Sequence, residues 1–274
     1  MIGIYIMGGL GNQMFQYACA RSLSLRNKTD LYLDLRWFNL ADTSSDRPYK
    51  LSNLKITPPP KEIKPTQLKL EKEISPFEFD SRFLTLPDNV YLYGYFAYEK
   101  YFHDYEKTLR EDFRFQVPIS EQSQIWEKKI RDDSMPVSIH VRRGDYLKGI
   151  NPRIFHQIPM SYYERCIAIL RENFSNLSLY IFSNDLDWCR KNFNFEIPTH
   201  FVDSNDEKNG YDDMFLMSLC RHHIIANSSF SFWGAWLDSR IGSLVFAPDR
   251  FQEEMHTDKT ELNRLPKHWI VIES

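Results

Sequence analysis

With 274 residues, 42% hydrophobic and 26% charged content and a formal net charge of −3 at pH 7, the chain is long enough to bury the cores of about two small domains. The slightly acidic balance excludes a general nucleic-acid binder, because phosphate backbones are held mainly by excess Lys and Arg, so any phosphate it handles belongs in a local basic site. Cys19, Cys166, Cys189 and Cys220 stand far apart without C-x-x-C spacing and read as reduced core thiols.

The chain opens on the apolar run Ile2-Gly3-Ile4-Tyr5-Ile6, a predicted strand, and MGGLGNQMF over 7–15 predicts a glycine-rich turn leading into a helix from about Asn12 to Arg26. The opening run is too short to span a membrane and lacks the basic flank and cleavage site of a signal peptide. The expectation is a cytoplasmic protein, with peripheral membrane attachment left open. Gly9-Leu10-Gly11 begins the dinucleotide fingerprint, and Asp34, at the end of the strand-like LYLDL, would complete it as the ribose-binding acid. Met14 occupies the place of the third glycine, and a nicotinamide site leaves the polar pair Asn12-Gln13 unexplained.

From Thr57 to Asp88, six prolines among alternating charges predict a long irregular excursion. Val90 to Tyr105 predicts a strand, a glycine turn and a helix start. Its aromatic strip Tyr91, Tyr93, Tyr95, Phe96, Tyr98 and Tyr101 suits sugar stacking, although alternation sends half of it to the core. After a linker-like stretch near Asp132, the strands VSIHV, LSLYIF, HHIIAN and SLVFAP alternate with helical patterns such as SYYERCIAILREN and DDMFLMSLC, and PKHWIVIES ends the chain as a last strand. That alternation implies an α/β protein with parallel sheets.

Three stretches carry chemistry. In MPVSIHVRRGDY, alternation places Val137, Ile139 and Val141 on one face and Ser138, His140 and Arg142 on the other. Strands of parallel sheets are normally apolar on both faces, so the polar face is expected to line something wet or charged. Arg142 and Arg143 fall at the strand's carboxyl end, where open α/β sheets bind ligands, and their planar forks match phosphate oxygens at roughly 1.5–3 kcal/mol per charge-assisted contact. For Arg143 a structural pairing with Asp145 is an equal alternative. In HHIIANSSFSFWGAWLD a strand, the turn Asn227-Ser228-Ser229 and a helix follow one another. The helix N-terminus offers an anion site, or simple N-capping by Ser228, Ser229 or Ser231. In LYIFSNDLDW, Asn184 and Asp185 at a strand end suit a guanine edge, while Asp185-Leu186-Asp187 also spells the short metal motif D-x-D. No metal is expected, because Arg142 and the helix terminus already supply positive charge for a diphosphate.

HVRRGDY, together with GGLGNQMFQYA, GYFAYEKYF and ANSSFSFWGAWL, resembles the bacterial α-1,2-fucosyltransferases, whose H-x-R-R-x-D motif is shared with the wider fucosyltransferases. The likeness runs from residue 3 to about residue 247. It implies a GT-B-like α/β fold of two Rossmann-type domains facing a cleft, an acceptor-side domain over 1–130 and a GDP-fucose-binding domain over 131–274. The implied reaction is inverting, metal-independent transfer of L-fucose from GDP-β-L-fucose to the 2-hydroxyl of a galactose-terminated glycan, with no cofactor. Carried over residue by residue, Arg142 would bind the β-phosphate, with Arg143 beside it; His140 would lie against the nucleotide; Asn184 and Asp185 would read guanine; and Asn227, Ser228, Ser229 and Phe230 would hold the phosphates. Gly9, Gly11, Asn12 and Gln13 would come from the opposite domain, with Asn12 close to the diphosphate and the reacting sugar. Asp145 and His156 are the candidate bases; Tyr95, Phe96 and Tyr98 are the acceptor-side aromatics, and Ala97-Tyr98 stands where this family often has Gln-Ser. Two rivals stay open: an NAD-dependent enzyme using Gly9, Gly11 and Asp34, and a nucleotide-sugar or carbohydrate-binding protein without turnover.

Overall fold

The structure, a computed structural model, describes all residues except 41–46, 57–66, 145, 149–152, 204–209 and 253–263. The chain divides into two compact units, Met1–Val117 with Asn263–Pro266, and Pro118–Leu262 with Lys267–Ser274. The division falls at 117/118 instead of 130/131 because the helix α3 (Glu121–Asp132, labelled in chain order) docks on the second unit. Its N-terminal Ser120 N–H and Ser123 hydroxyl both donate to Asp212, at 3.0 and 2.7 Å.

The first unit holds four parallel strands, β1 (Ile2–Tyr5), β2 (Leu31–Asp34), β3 (Lys69–Lys72) and β4 (Val90–Tyr93), in the order β2-β1-β4-β3. Helix α1 (Leu10–Asn27) connects β1 to β2, packs on both, and ends where Lys28 turns left-handed at φ 52°. Ile2, Ile4, Leu31, Leu33, Val90 and Leu92 are buried, each large aliphatic side chain contributing roughly 1.5–3 kcal/mol. The register puts Gly3 beside Tyr32 and Tyr91, and Tyr5 beside Asp34. A Cβ on Gly3 would stand 2.9 Å from the Tyr91 ring, so that ring lies across a position only glycine fits. A short helix α2 (Glu106–Asp112) is tied to α1 by Asp112, which accepts from the Tyr17 hydroxyl at 2.7 Å and from Arg21 at 2.9 Å.

β3 lies inside the stretch expected to be irregular. Its four residues KLEK are mostly exposed and carry no apolar alternation. Backbone bonds such as Lys69 N–H to Asn89 O at 3.0 Å add it to the sheet as a charged edge, a composition that discourages pairing with another chain.

In the second unit the order is α3, β5 (Pro136–Val141), α4 (Met160–Asn173), β6 (Ser178–Ser183), α5 (Leu186–Asn192), β7 (Thr199–Phe201), α6 (Gly210–Leu219), β8 (His222–Ile224), α7 (Ser229–Trp236), β9 (Val245–Pro248) and β10 (Ile270–Ile272). All six strands are parallel, in the order β10-β9-β8-β5-β6-β7. Val137, Ile139 and Val141 pack on one face with Leu179, Ile181 and the α4 residues Cys166, Ile167 and Leu170, while Tyr180 and Phe182 face Ile130, Leu216 and Met217 on the other. The order reverses between β5 and β8, and their carboxyl ends therefore flank a crevice of the kind in which doubly wound sheets bind ligands.

β5 is buried along its whole length, so of the wet or charged surroundings expected for its polar face Ser138 has the charged kind, inside the unit. The Ser138 hydroxyl meets His223 Nδ1 on β8 at 2.8 Å, and His223 Nε2 meets Asp238 Oδ2 at 3.1 Å. An ionised Asp238 accepts from Nε2–H, which leaves Nδ1 to accept from Ser138. On this face Ser138 is satisfied by the neighbouring strand.

Candidate functional site

Arg142 follows β5 directly and is half-buried, its guanidinium over the Tyr146 ring at 5.7 Å. Tyr146 stacks flat on Phe155, centroids 4.2 Å apart and planes 8° off parallel, and its hydroxyl donates to the Asn227 carbonyl at 3.0 Å. The Asn227 amide donates to the His156 and Phe251 carbonyls, both at 2.9 Å. One network thus gathers Arg142, His156 and Asn227 at the crevice; the Asn227 amide nitrogen is spent on the loops around it, while its Oδ1 is buried with no hydrogen-bond partner among the described residues.

Helix α7 starts at the end of that turn. Ser228 is its cap, accepting from Phe230 N–H at 3.2 Å, and the Ser231 hydroxyl turns inward to Ala226 and Ser228 carbonyls. Ser229 is half-exposed, with no hydrogen-bond partner for its hydroxyl among the described residues. The N-terminus of α7, with about half a unit of positive charge, stands at the carboxyl edge of the sheet. His140 is 4% exposed and packs against Phe230, rings 5.6 Å apart.

At the end of β6, Asn184 Oδ1 accepts from both Arg143 N–H and Gly144 N–H at 3.1 Å, and a Cβ on Gly144 would stand 2.7 Å from the same amide. Asp185 caps α5 through Trp188 N–H at 3.2 Å and lies 3.6 Å from Arg143, whose guanidinium covers the Trp188 ring at 4.0 Å. Arg143 is therefore a fixed wall of the site, paired with Asp185; Asp145 lies outside the described residues. Asp187 pairs with Arg190 at 3.2 Å, so both acids of D-x-D face arginines, and the described residues hold no group of three or more metal-ligating side chains.

The carboxyl edge of the first sheet differs from expectation in four places. Gly8, at φ 78°, is the glycine the backbone requires, and Gly9 caps α1 with no heavy atom within 4 Å of where a Cβ would stand, whereas Gly11 is buried in the helix. Gln13 is fully buried; its amide donates to Gly8 O at 2.8 Å and Pro48 O at 3.0 Å and accepts from Lys50 N–H at 2.9 Å, which corrects its assignment to a donor. Asn12, half-buried, stays on the edge next to Gly8. Asp34 is buried under Arg36, with bonds of 2.6–2.9 Å, and the Tyr91 hydroxyl at 2.6 Å. Burial alone would raise its carboxyl, but these partners outweigh burial and hold it below the usual range; no acid is left for a ribose.

Phe96 and Tyr98, expected on the acceptor side, are fully buried, Phe96 against Phe83 at 4.9 Å and Tyr98 against Phe79 at 5.9 Å. Beyond Gly94 the chain leaves strand geometry: Phe96 is left-handed at φ 53°, and its ring turns inward. Tyr95 N–H and Phe96 N–H both donate to Glu73, at 2.6 and 3.1 Å, and burial pushes that carboxyl up to about 7. Tyr95, 38% exposed, is the ring this turn presents. Tyr93, 36% exposed, stacks on Tyr5 at 5.5 Å with Lys72 over it at 5.5 Å. Tyr5 was missed, although alternation from Gly3 already places it on that face.

Parallel sheets, the second with a strand-order reversal flanked by an arginine at one strand end and a helix N-terminus at the next, make an α/β protein of GT-B-like fold. The chain belongs to glycosyl transferase family 11, whose model matches residues 1–273. It is 32% identical to an alpha-1,2-colitosyltransferase of Escherichia coli, over 98% of this chain and 97% of that one. It is 31% identical to the O-antigen biosynthesis glycosyltransferase WbnK of Escherichia coli, over 90% and 93% respectively. The crystal structure of the fucosyltransferase NodZ from Bradyrhizobium superposes with a TM-score of 0.52 at 12% identity, over 85% of this chain and 91% of that one, a likeness of fold. The family and the occupied Asp34 together remove the nicotinamide reading. No helix among the described residues is long and apolar enough to cross a membrane.

Proposed function

We propose that the protein transfers L-fucose from GDP-β-L-fucose to the 2-hydroxyl of a galactose-terminated glycan, with inversion and without a metal. The observation that carries this reading is Arg142 at the β5 end of the crevice whose β8 end is the N-terminus of α7: a guanidinium and a helix terminus suited to one diphosphate. As the bond from fucose C1 to the β-phosphate oxygen lengthens, the sugar becomes oxocarbenium-like and the diphosphate gains charge, which Arg142 and the Ser229 hydroxyl stabilise. The acceptor oxygen bonds to C1 from the opposite face and its proton passes to a base, for which Asp145 and His156 are the candidates. Asp185 reads the guanine edge while Asn184 and Arg143 shape its rim. Tyr95 takes the acceptor ring, and Asn12 contacts the transferred sugar. The four unbridged, buried thiols fit action in the cytoplasm.

A second donor is favoured by the E. coli relative named for colitose, which is fucose without its 3-hydroxyl. Incubating the purified protein with GDP-fucose or GDP-colitose, with and without a galactoside and EDTA, tests both. Release of GDP only when a galactoside is present, surviving EDTA, is the expected result, and the faster donor names the sugar. Release that EDTA stops, or none with either donor, overturns the proposal.

A further inference from the structure

The donor reading uses Arg142 but not the ring beneath it. Tyr146 is 8% exposed and held on three sides. Phe155 stacks flat on one face at 4.2 Å, which leaves the other face to the Arg142 guanidinium at 5.7 Å. Its hydroxyl is bonded to the carbonyl of Asn227, the residue immediately before the cap of α7. Phe155 in turn bridges to Gln252, and the Asn227 amide binds the carbonyl of the adjacent His156. The ring therefore has neither room nor freedom to turn, and it joins the arginine at the end of β5 to the turn at the end of β8.

We infer that Tyr146 is a positioning residue for Arg142, fixing its guanidinium toward the β-phosphate of the bound nucleotide. The inference rests on the reading that Arg142 takes that phosphate. A flexible arginine loses rotamer freedom when it binds; one already laid on a rigid aromatic face has less to lose, and its electrostatic attraction to the ring survives in a partly buried site. Phe155 acts one step further back, keeping the ring flat.

Titration calorimetry with GDP and GMP separates positioning from general support, because only GDP carries the β-phosphate. In the wild type GDP should bind at least about tenfold more tightly than GMP, the share Arg142 supplies. Tyr146→Leu should remove most of that ratio while leaving GMP affinity within about twofold, and turnover should fall with acceptor KM unchanged. Tyr146→Phe, which keeps the face and loses the hydroxyl, should keep the ratio within about threefold. Phe155→Leu, with the ring still present, should lower the ratio by about threefold and carries the test if Tyr146→Leu does not fold by circular dichroism. A folded Tyr146→Leu protein with the wild-type ratio, or one that loses GDP and GMP affinity equally, overturns the inference; so does an unchanged ratio in Phe155→Leu when that variant carries the test. A wild type that binds GMP as tightly as GDP overturns the reading of Arg142 itself, and the inference with it.

Discussion

Two side chains make opposite uses of a low-dielectric setting. On the proposed reading Arg142 holds the β-phosphate and meets the further charge that develops there as the bond to the sugar breaks, and one well-aimed donor of this kind contributes roughly 3–4 kcal/mol to the transition state. Arg142→Ala should cost about a hundredfold or more in turnover. An alanine variant with native circular dichroism and more than about a third of wild-type activity, where a hundredfold loss is expected, would sink the assignment. Glu73 is buried for architecture: it holds the 94–96 turn, and a Cβ on Gly94 would stand 2.4 Å from its own. Its carboxyl is raised from 4.5 to about 7 by burial, so the folded protein binds this proton more tightly than the unfolded chain. The stability this group adds is fully present below the unfolded value and is lost as pH rises from about 4.5 through about 7, a swing of about 3 kcal/mol. In Glu73→Gln that swing should vanish from the pH dependence of urea stability, while one amide acceptor for the turn remains.

At the level of elements, the second unit is pinned from inside by a polar chain. Ser138 on β5 meets His223 on β8, His223 meets Asp238 beyond α7, and Asp238 accepts from Arg240 at 2.7 Å, whose guanidinium also binds the Leu219 carbonyl at the end of α6. Burial pulls His223 down; His223, Arg240 and Ser243 together hold the Asp238 carboxyl well below its usual range against its own burial. Both shifts run downward, so both groups add stability above their unfolded values and lose it as pH falls. Removing the carboxylate with Asp238→Ala leaves the neutral His223 N–H buried without its acceptor and should cost about 1–3 kcal/mol in urea unfolding; a loss below about 0.5 kcal/mol would show the chain to be incidental. The same elements show what was readable in advance. The strands β1, β2, β4, β5 and β6 and the helices α1, α4 and α6 announce themselves by period, because each buries an apolar face. Alternation placed Ser138 and His140 on one face correctly, yet it does not say which neighbour meets that face, and His223 is 85 residues away in sequence. Phe96 and Tyr98 were carried over as acceptor-side residues from the family resemblance, which does not show that the left-handed turn at Phe96 sends both rings into the core, and Gln13 was carried over likewise, its partners at Pro48 and Lys50 belonging to a distant loop. That Arg142 and the turn at 227–229 fall at the carboxyl ends of β5 and β8 was legible, because each directly follows an apolar strand in the sequence.

For the whole molecule, the chain passes from the first unit to the second at 117/118, returns for residues 263–266, and leaves again. The first unit is thus completed by a late segment in which Leu265 is buried and Arg264 lies over Tyr98 at 5.3 Å. Unfolding is then not bound to be one transition, and a ligand held by one unit should raise the transition of that unit. The residues assigned to GDP here, Arg142, Asp185 and Ser229, all belong to the second unit. GDP at about a hundred times its dissociation constant adds about 2.7 kcal/mol to the state that binds it. For a unit of this size that is a rise of roughly 5–10 °C in its midpoint. Differential scanning calorimetry should show that rise with GDP and not with NAD, and EDTA should leave it unchanged. A rise with NAD in the transition of the first unit, which holds Asp34, would restore the nicotinamide reading in spite of the bonds that occupy that carboxylate, and a GDP effect that EDTA removes would mean that the acids of D-x-D exchange their arginines for a metal when nucleotide binds.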